Sequence, residues 1–213
     1  MKRRYPRGEE EFGRVLAFSD GVYAIAITLL VLSIDVPVLH HPGSADDLLD
    51  ALRVRRPQII SYAISFAVIG RYWLAHHQFF SRLRALDGGL IAINLVCLAV
   101  IAFLPFPTDI LGNYFENPVA VALYALTVAV ISGLEVLMFN RAHNQDLLDP
   151  RLSEDVFRWS RAAATAPVII FVISVPLAFV SSALASICWL GTVPYQVFYL
   201  NRRKPVQADQ ELR

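Results

Sequence analysis

The sequence has few charged residues and only two cysteines. Of its 213 residues, 17% are charged and 56% are apolar, which leaves too few polar side chains to cover a water-soluble globule of this size. The charged residues also lie mostly in short segments between long apolar stretches. Cys97 and Cys188 both fall inside such stretches, so they suggest no disulfide framework. This pattern indicates an integral membrane protein.

Signatures of several enzyme and channel classes are missing. The chain has no H-E-x-x-H and no G-x-S-x-G motif. The adjacent His76 and His77 project about 100° apart on a helix, which makes it hard for them to bind one metal ion together. There is also no T-V-G-Y-G segment, and the loop from Asp109 to Asn117 is too short to re-enter the membrane as a filter. We therefore expect no enzyme activity, no metal site and no selectivity filter of backbone carbonyls.

Hydropathy over a window of about 19 residues gives six candidate membrane spans. Each has roughly the 17 to 25 residues that a helix needs to cross about 30 Å of hydrocarbon. Prolines are predicted to end the third span (Pro105, Pro107), to begin the fourth (Pro118) and to kink the last two (Pro167, Pro176, Pro194). The predicted fold class is an all-α membrane protein with one six-helix domain over residues 1–213. Its spans are Val15–Ile34, Ile59–Ala75, Gly88–Phe106, Val119–Phe139, Ala162–Phe179 and Ala183–Leu200.

The distribution of Lys and Arg predicts that both chain ends are cytoplasmic. With the N-terminus inside, 16 of the 19 Lys and Arg residues lie in inner segments or at inner helix ends. The outer side then holds only Arg53, Arg55 and Arg56, as the positive-inside rule requires. The net charge of +1 averages two different faces and indicates nothing about partners. We expect no nucleic-acid partner.

The loop between the first two spans is predicted to form a short outer helix. Ser44 is a suitable N-cap, Asp46 and Asp47 fall in the first turn, and the three arginines fall in the last turn before Pro57. Its carboxylates would either raise the local cation concentration at a pore mouth or simply complement the helix dipole. Both interpretations remain open at this point.

Ionisable residues inside membrane spans are candidates for functional sites because they are energetically expensive there. The candidates are Asp20, Arg71, the His76–His77 pair and Glu135. Spans one and two run in opposite directions, so Asp20 lies at the same depth as Trp73 and the two histidines. A carboxylate at that depth is expected to accept a hydrogen bond from an indole or imidazole N–H.

The first span also has an apolar face. At about 100° per residue, five of its residues fall within a strip about 60° wide, whereas Asp20 points away from it. They are Arg14, Phe18, Ile25, Leu29 and Leu32. Periodicity alone fits lipid contact or helix packing as well as a functional surface.

The run from Arg14 to Asp20 resembles a known family. It reads R-V-L-A-F-S-D and continues as G-V-Y-A-I-A-I-T-L-L, which is similar to the R-x-x-x-F-S-D first helix of the transmembrane protein 175 family of potassium channels. The segment from Trp73 to His77 and the predicted six-span length agree with this resemblance. The motif and network residues would then be Arg14, Phe18, Ser19, Asp20, Trp73 and His77.

The resemblance implies a potassium-permeable channel whose first helices line the pore. A ring of bulky aliphatic side chains would form the constriction, here at Ile25 with Leu29 and Leu32 further out, and Thr28 would add a polar layer. It also implies a homotetramer in a lipid bilayer, without a cofactor, that passes potassium and other monovalent cations. A chain with a single motif looks like the bacterial form and is expected in the cell membrane. The alternative is a proton-coupled secondary transporter that uses Asp20 and His77.

Overall fold

The structure is a computed structural model that describes residues 4–192 and residue 195. The described residues form eight α-helices and one two-stranded β-ribbon. The ribbon consists of β1 (Arg4–Pro6) and β2 (Ala85–Asp87). The helices are α1 (Glu10–Leu29), which continues as a 3₁₀ turn (Leu30–Ser33), α2 (Ala45–Val54), α3 (Arg56–Ser81), α4 (Gly88–Phe103), α5 (Pro105–Asn113), α6 (Pro118–Asn144), α7 (Glu154–Ala178) and α8 (Ser182–Leu190).

Four helical segments in the described part of the chain are long and apolar enough to cross a membrane. They are Glu10–Ser33, Gly88–Asn113, Pro118–Asn144 and Glu154–Ala178. The predicted second span lies inside α3, whose 26 residues have sufficient length but include polar residues such as Arg71. The predicted sixth span, Ala183–Leu200, overlaps α8, and most of its remainder, with Pro194, lies outside the described residues.

Helix α4 ends at Phe103, just before the prolines that are predicted to end the third span, but a second helix follows without a loop. Leu104 keeps a helical backbone, and α5 begins directly afterwards at Pro105. A proline in the first turn of a helix is tolerated because the N–H that it lacks has no helical acceptor there. The helical segment therefore extends to Asn113, and only residues 114–117 connect it to α6. Pro167 and Pro176 lie inside α7.

The predicted short helix between the first two spans is confirmed as α2. It ends at Val54, so the placement of Arg55 and Arg56 in its last turn is wrong: Arg55 follows the helix and Arg56 begins α3. The Ser44 side chain accepts a hydrogen bond from the Asp47 backbone N–H at 3.2 Å, and α2 begins at the next residue, Ala45. The β-ribbon was not predicted, because strands of three residues carry no readable periodicity. In it, Tyr5 is opposite Leu86 in an antiparallel register.

The connections between helices gather at two opposite ends of the molecule. At one end, which we call the ribbon end, the β-ribbon meets the α6–α7 connection, since the backbone N–H of Arg84 donates to the carbonyl of Leu147 at 2.9 Å. At the other end, which we call the α2 end, the Gln58 amide donates to Asn113 at 2.8 Å, and Ser182 donates to the Glu116 carbonyl at 3.0 Å. The long helices therefore run alternately between these two ends.

The core is built around α6, which packs against α4, α5 and α7 and contacts α3 through side chains such as Phe79, whose ring lies against that of Phe139. Several polar side chains of this core are hydrogen-bonded to one another, which lowers the cost of keeping them in a lipid environment. Thr108 donates to Ser65 at 2.7 Å, and Ser65 donates to the Tyr124 hydroxyl at 3.1 Å. Helix α1 packs at the edge of this core against α3 and α4, so one of its faces is left uncovered.

Candidate functional site

The uncovered face of α1 is the strip that helical periodicity predicted. We call Arg14, Phe18, Ile25, Leu29 and Leu32 the α1 stripe; its apolar members are exposed by 56% (Phe18), 60% (Ile25), 42% (Leu29) and 74% (Leu32). On the opposite face, the buried residues include Tyr23, Ala26 and Leu30. An exposed row of large aliphatic side chains on a helix is suited to contact lipid, another subunit or an ion path.

Thr28 lies beside the α1 stripe and is also exposed. Its hydroxyl donates to the backbone carbonyl of Ile25 at 2.8 Å, which leaves the hydroxyl oxygen as an acceptor on that surface. At 1.5 Å per residue, Ile25 lies about 16 Å along the helix from Arg14. A helix that enters the membrane near Arg14 therefore has Ile25 near the middle of a bilayer core of about 30 Å.

Asp20 contacts α3, as predicted from the equal membrane depth of Asp20 and Trp73. The indole Nε1 of Trp73 donates to Oδ1 of Asp20 at 2.9 Å. His77 is exposed, and its ring centroid is 5.6 Å from that of Trp73. The donor that the structure gives to Asp20 is thus the indole of Trp73.

A second polar connection joins α1 to α3 through α4. Asn94 donates to Ser19 Oγ at 3.0 Å, and the ring Nε2 of His76 lies 2.8 Å from Asn94 Oδ1. Asn94 was not predicted as a site residue. The available signal was that it is the one side-chain amide in the otherwise apolar α4. Ser19 also donates to the Val15 carbonyl at 2.9 Å, so both of its hydrogen-bonding roles are used.

The structure separates the other predicted ionisable residues from the α1 stripe. Arg71 and Glu135 line a cavity between α3, α6 and α7, on a side of the bundle to which α1 does not contribute. His76 is buried, and its ring stacks on that of Phe80 with 4.2 Å between centroids. The arrangement therefore consists of an apolar exposed stripe and, behind it, a polar network that fixes the helix to its neighbours.

Comparison with known proteins gives the class and the family. The model of the family described as "Endosomal/lysosomal potassium channel TMEM175" matches residues 14–105. A potassium channel of Streptomyces collinus is 40% identical over 179 residues, which cover 82% of this chain and 85% of that protein. The mouse endosomal/lysosomal proton channel TMEM175 is 26% identical over 155 residues, which cover 71% of this chain but only 30% of the mouse protein.

A solved structure agrees with these sequence matches. The crystal structure of a lysosomal potassium-selective channel TMEM175 homolog from Chamaesiphon minutus superposes with a TM-score of 0.72, at 28% identity, and covers 92% of this chain and 100% of that chain. The fold and the relatives are those of ion channels, not of enzymes. This chain belongs to the TMEM175 family.

Proposed function

We propose that four copies of this chain assemble with cyclic symmetry and conduct potassium ions passively along a path lined by α1. One copy of α1 cannot enclose a path, and closed cyclic symmetry is the usual arrangement of identical subunits. The observation that carries the proposal is the exposed α1 stripe, because a row of large apolar side chains without a covering element in the monomer is explained if four stripes face each other. The names of the Streptomyces and Chamaesiphon relatives support potassium as the ion.

Ile25 forms the constriction in this proposal, and Leu29 and Leu32 form further rings towards the α2 end. A hydrated cation that passes such a ring loses water without gaining oxygen ligands, so a narrow dry ring blocks conduction when closed and limits it when open. Thr28 supplies the nearest polar layer. Discrimination between cations is expected to be modest compared with a carbonyl filter.

The polar network behind the stripe supports this role. The Asp20–Trp73 and Ser19–Asn94–His76 contacts fix the inner half of α1 to α3 and α4. A pore helix has to be held in one rotation about its own axis. A turn of about 100°, the angle between successive residues, would point Ile25 away from the pore axis.

The ribbon end is the cytoplasmic side in this proposal, and the membrane is the cell membrane. Arginines from the chain start and from two connections gather there: Arg4, Arg7, Arg82, Arg84 and Arg151. The segment at the α2 end has three arginines, Arg53, Arg55 and Arg56. The positive-inside rule therefore favours a cytoplasmic ribbon end, with the N-terminus inside and six crossings returning the C-terminus to the same side.

The direct test is a potassium flux assay with purified protein in liposomes. Liposomes with the wild-type chain should release potassium down its gradient, and empty liposomes treated identically should not. The mass in mild detergent should be that of a tetramer. A dimer or monomer that retains full flux would contradict the assembly, and a tetramer that passes no potassium under any tested voltage or pH would contradict the conduction.

Proton movement is the second candidate function, and the printed names of the animal relatives favour it. Two forms of proton movement can be distinguished by experiment. Passive proton permeation would share the α1 path and would be altered by substitutions in the α1 stripe. A proton-coupled transporter that uses Asp20 and His77 would instead drive potassium uphill when only a pH gradient is imposed. Potassium flux that follows its own gradient regardless of pH difference would exclude coupling.

A further inference from the structure

A cleft between α3 and α7 lies away from the α1 stripe. The two helices hardly touch each other directly, and α6 forms the floor of the space between them. This cleft contains a cavity of about 280 Å³ whose lining includes Arg71 and Gln78 of α3, Arg82, and Glu135 of α6. Trp159 and Ser160 of α7 complete its polar wall. Since Arg82 follows the last residue of α3, the cavity lies towards the ribbon end.

Arg82 is a partly buried cation in this cavity whose hydrogen-bond partner is neutral. Its Nη1 donates to the Ser160 hydroxyl at 3.1 Å. Within the described part of the chain, no carboxylate lies at ion-pair distance from it, and burial lowers the pKa of its guanidinium. A guanidinium in this position is stabilised by any anion that enters the cavity.

The deeper part of the cavity contains both a basic and an acidic side chain. Arg71 and the buried Glu135 both line it, and Arg71 lies about 16 Å from Arg82 along α3. At the edge nearest the ribbon end, Arg82 lies beside the neutral Ser160, without an acidic side chain in the cavity lining there. The favourable place for an anion is therefore beside Arg82 and Ser160.

The same cleft becomes apolar in the direction of the α2 end. Arg71 also lines a second cavity of about 350 Å³, whose other lining residues include Val68, Val128 and Phe171. The cleft therefore changes from polar to apolar along the expected membrane normal. A phospholipid of the leaflet at the ribbon end presents its phosphate and its acyl chains in this order.

We propose that the α3–α7 cleft binds an anionic phospholipid of the inner leaflet, with its phosphate beside Arg82 and Ser160 and an acyl chain towards the apolar cavity. The assignment to the inner leaflet depends on the proposed orientation; the binding chemistry does not. Basic pockets between membrane helices on the cytoplasmic side are known binding places for anionic headgroups. Trp159 at the wall is the type of side chain that lies at the headgroup level.

The experiment measures bound lipid on the purified tetramer by native mass spectrometry, after exchange into phosphatidylglycerol or phosphatidylcholine. Wild-type protein should retain more phosphatidylglycerol. Arg82→Gln should reduce that retention about fivefold, the effect expected for one arginine near a headgroup. The matched control is Arg158→Gln, which removes an equal charge from an exposed position of α7 that pairs with Asp155 at 2.8 Å; its retention should equal that of wild type.

The proposal would be overturned if the wild type showed no preference for phosphatidylglycerol, or if Arg82→Gln and Arg158→Gln lost equal amounts of bound phosphatidylglycerol. Complete displacement of the lipid by millimolar inorganic phosphate would also overturn it, because that result would indicate a site for the free anion. A second variant, Ala163→Leu, keeps every charge and fills the cavity that Ala163 lines. The Ala163→Leu variant tests the proposal if the Arg82→Gln variant does not assemble. Retention of phosphatidylglycerol at the wild-type level in Ala163→Leu would contradict a lipid in this cleft.

Discussion

The indole Nε1 of Trp73 lies 2.9 Å from Oδ1 of Asp20 and donates a hydrogen bond to it. The two residues are 53 positions apart in the chain, and the contact joins α1 to α3. Asp20 is partly buried on a face of α1 that points away from the α1 stripe. A hydrogen bond between an indole N–H and a carboxyl oxygen contributes about 0.5 to 3 kcal/mol, which favours one rotation of a helix that otherwise has one uncovered face.

Trp73→Phe is expected to loosen the attachment of α1. The substitution keeps most of the aromatic surface but removes the donor to Asp20, so the thermal stability of the assembled protein should fall and the open probability in single-channel recordings should change. Asp20→Asn should have an effect of the same kind. Tyr62→Phe is the matched control, because it removes a polar atom from a partly buried aromatic residue of the same helix, α3. Wild-type assembly, conductance and gating in both α1-network variants would contradict this role.

Asn94→Leu should destabilise the protein by about 1 to 3 kcal/mol, because it leaves Ser19 and His76 buried with unpaired polar groups. Leucine has the same branched arrangement of heavy atoms but no polar atoms, so the substitution removes the hydrogen bonds of Asn94. Denaturant titration in detergent measures the change, with Val96→Leu at an exposed position of the same helix as control. If the two variants are equally stable, then the Ser19–Asn94–His76 connection does not hold α1 in place.

Part of this arrangement was predictable from the sequence because it follows from helix geometry. Ile25 and Leu29 share a face in any helix, and the structure leaves that face uncovered. The Asp20–Trp73 contact followed from comparing depths in two spans of opposite direction. These inferences need only the rise and the angle per residue.

Other features depend on packing that no local pattern encodes. Asn94 reaches Ser19 only because α4 lies against α1. Pro105 predicts the end of α4, but it does not predict that the backbone at Leu104 stays helical and that α5 begins at the proline itself. The proposal that the α1 stripe faces a pore and not lipid rests on the family resemblance, since both surfaces have the same apolar periodicity.

Gly89→Ala should destabilise the ribbon end of the protein. Asp87 accepts hydrogen bonds from Arg141 Nε at 2.9 Å and Nη2 at 2.6 Å, and it also caps α4 through the Leu90 backbone N–H at 2.8 Å. A Cβ atom at Gly89 would overlap the Arg141 guanidinium and displace it. In this ion pair Asp87 is buried and Arg141 is partly exposed. Breaking the pair is expected to reduce the stability of the protein by about 1 to 3 kcal/mol.

Gly88→Ala is the matched control for that change, because nothing lies within 4 Å of a Cβ atom at Gly88. Alanine there should be neutral or slightly stabilising through its higher helix propensity. Heating the two variants and measuring the peak of the assembled protein that remains in size-exclusion chromatography compares their thermal stabilities. Similar stabilities of the two variants would show that the position of Arg141 does not matter to the fold.

The account depends most on Ile25 as the constriction of the pore. In the proposed pore, Ile25→Asn places polar atoms at the narrowest dry ring, so a permeating cation gains ligands there. Ala24→Asn is the control: Ala24 is exposed but off the stripe, whereas Ala26 is 1% exposed, so a substitution at Ala26 would test folding instead.

The decisive measurement is the conductance and the potassium-to-sodium permeability ratio of the two variants and the wild type in reconstituted bilayers. The account predicts that Ile25→Asn raises the resting conductance and lowers the permeability ratio, while Ala24→Asn changes both much less. Wild-type conductance and permeability ratio in an assembled Ile25→Asn channel would contradict the constriction at Ile25 and, with it, the assignment of α1 as the pore helix.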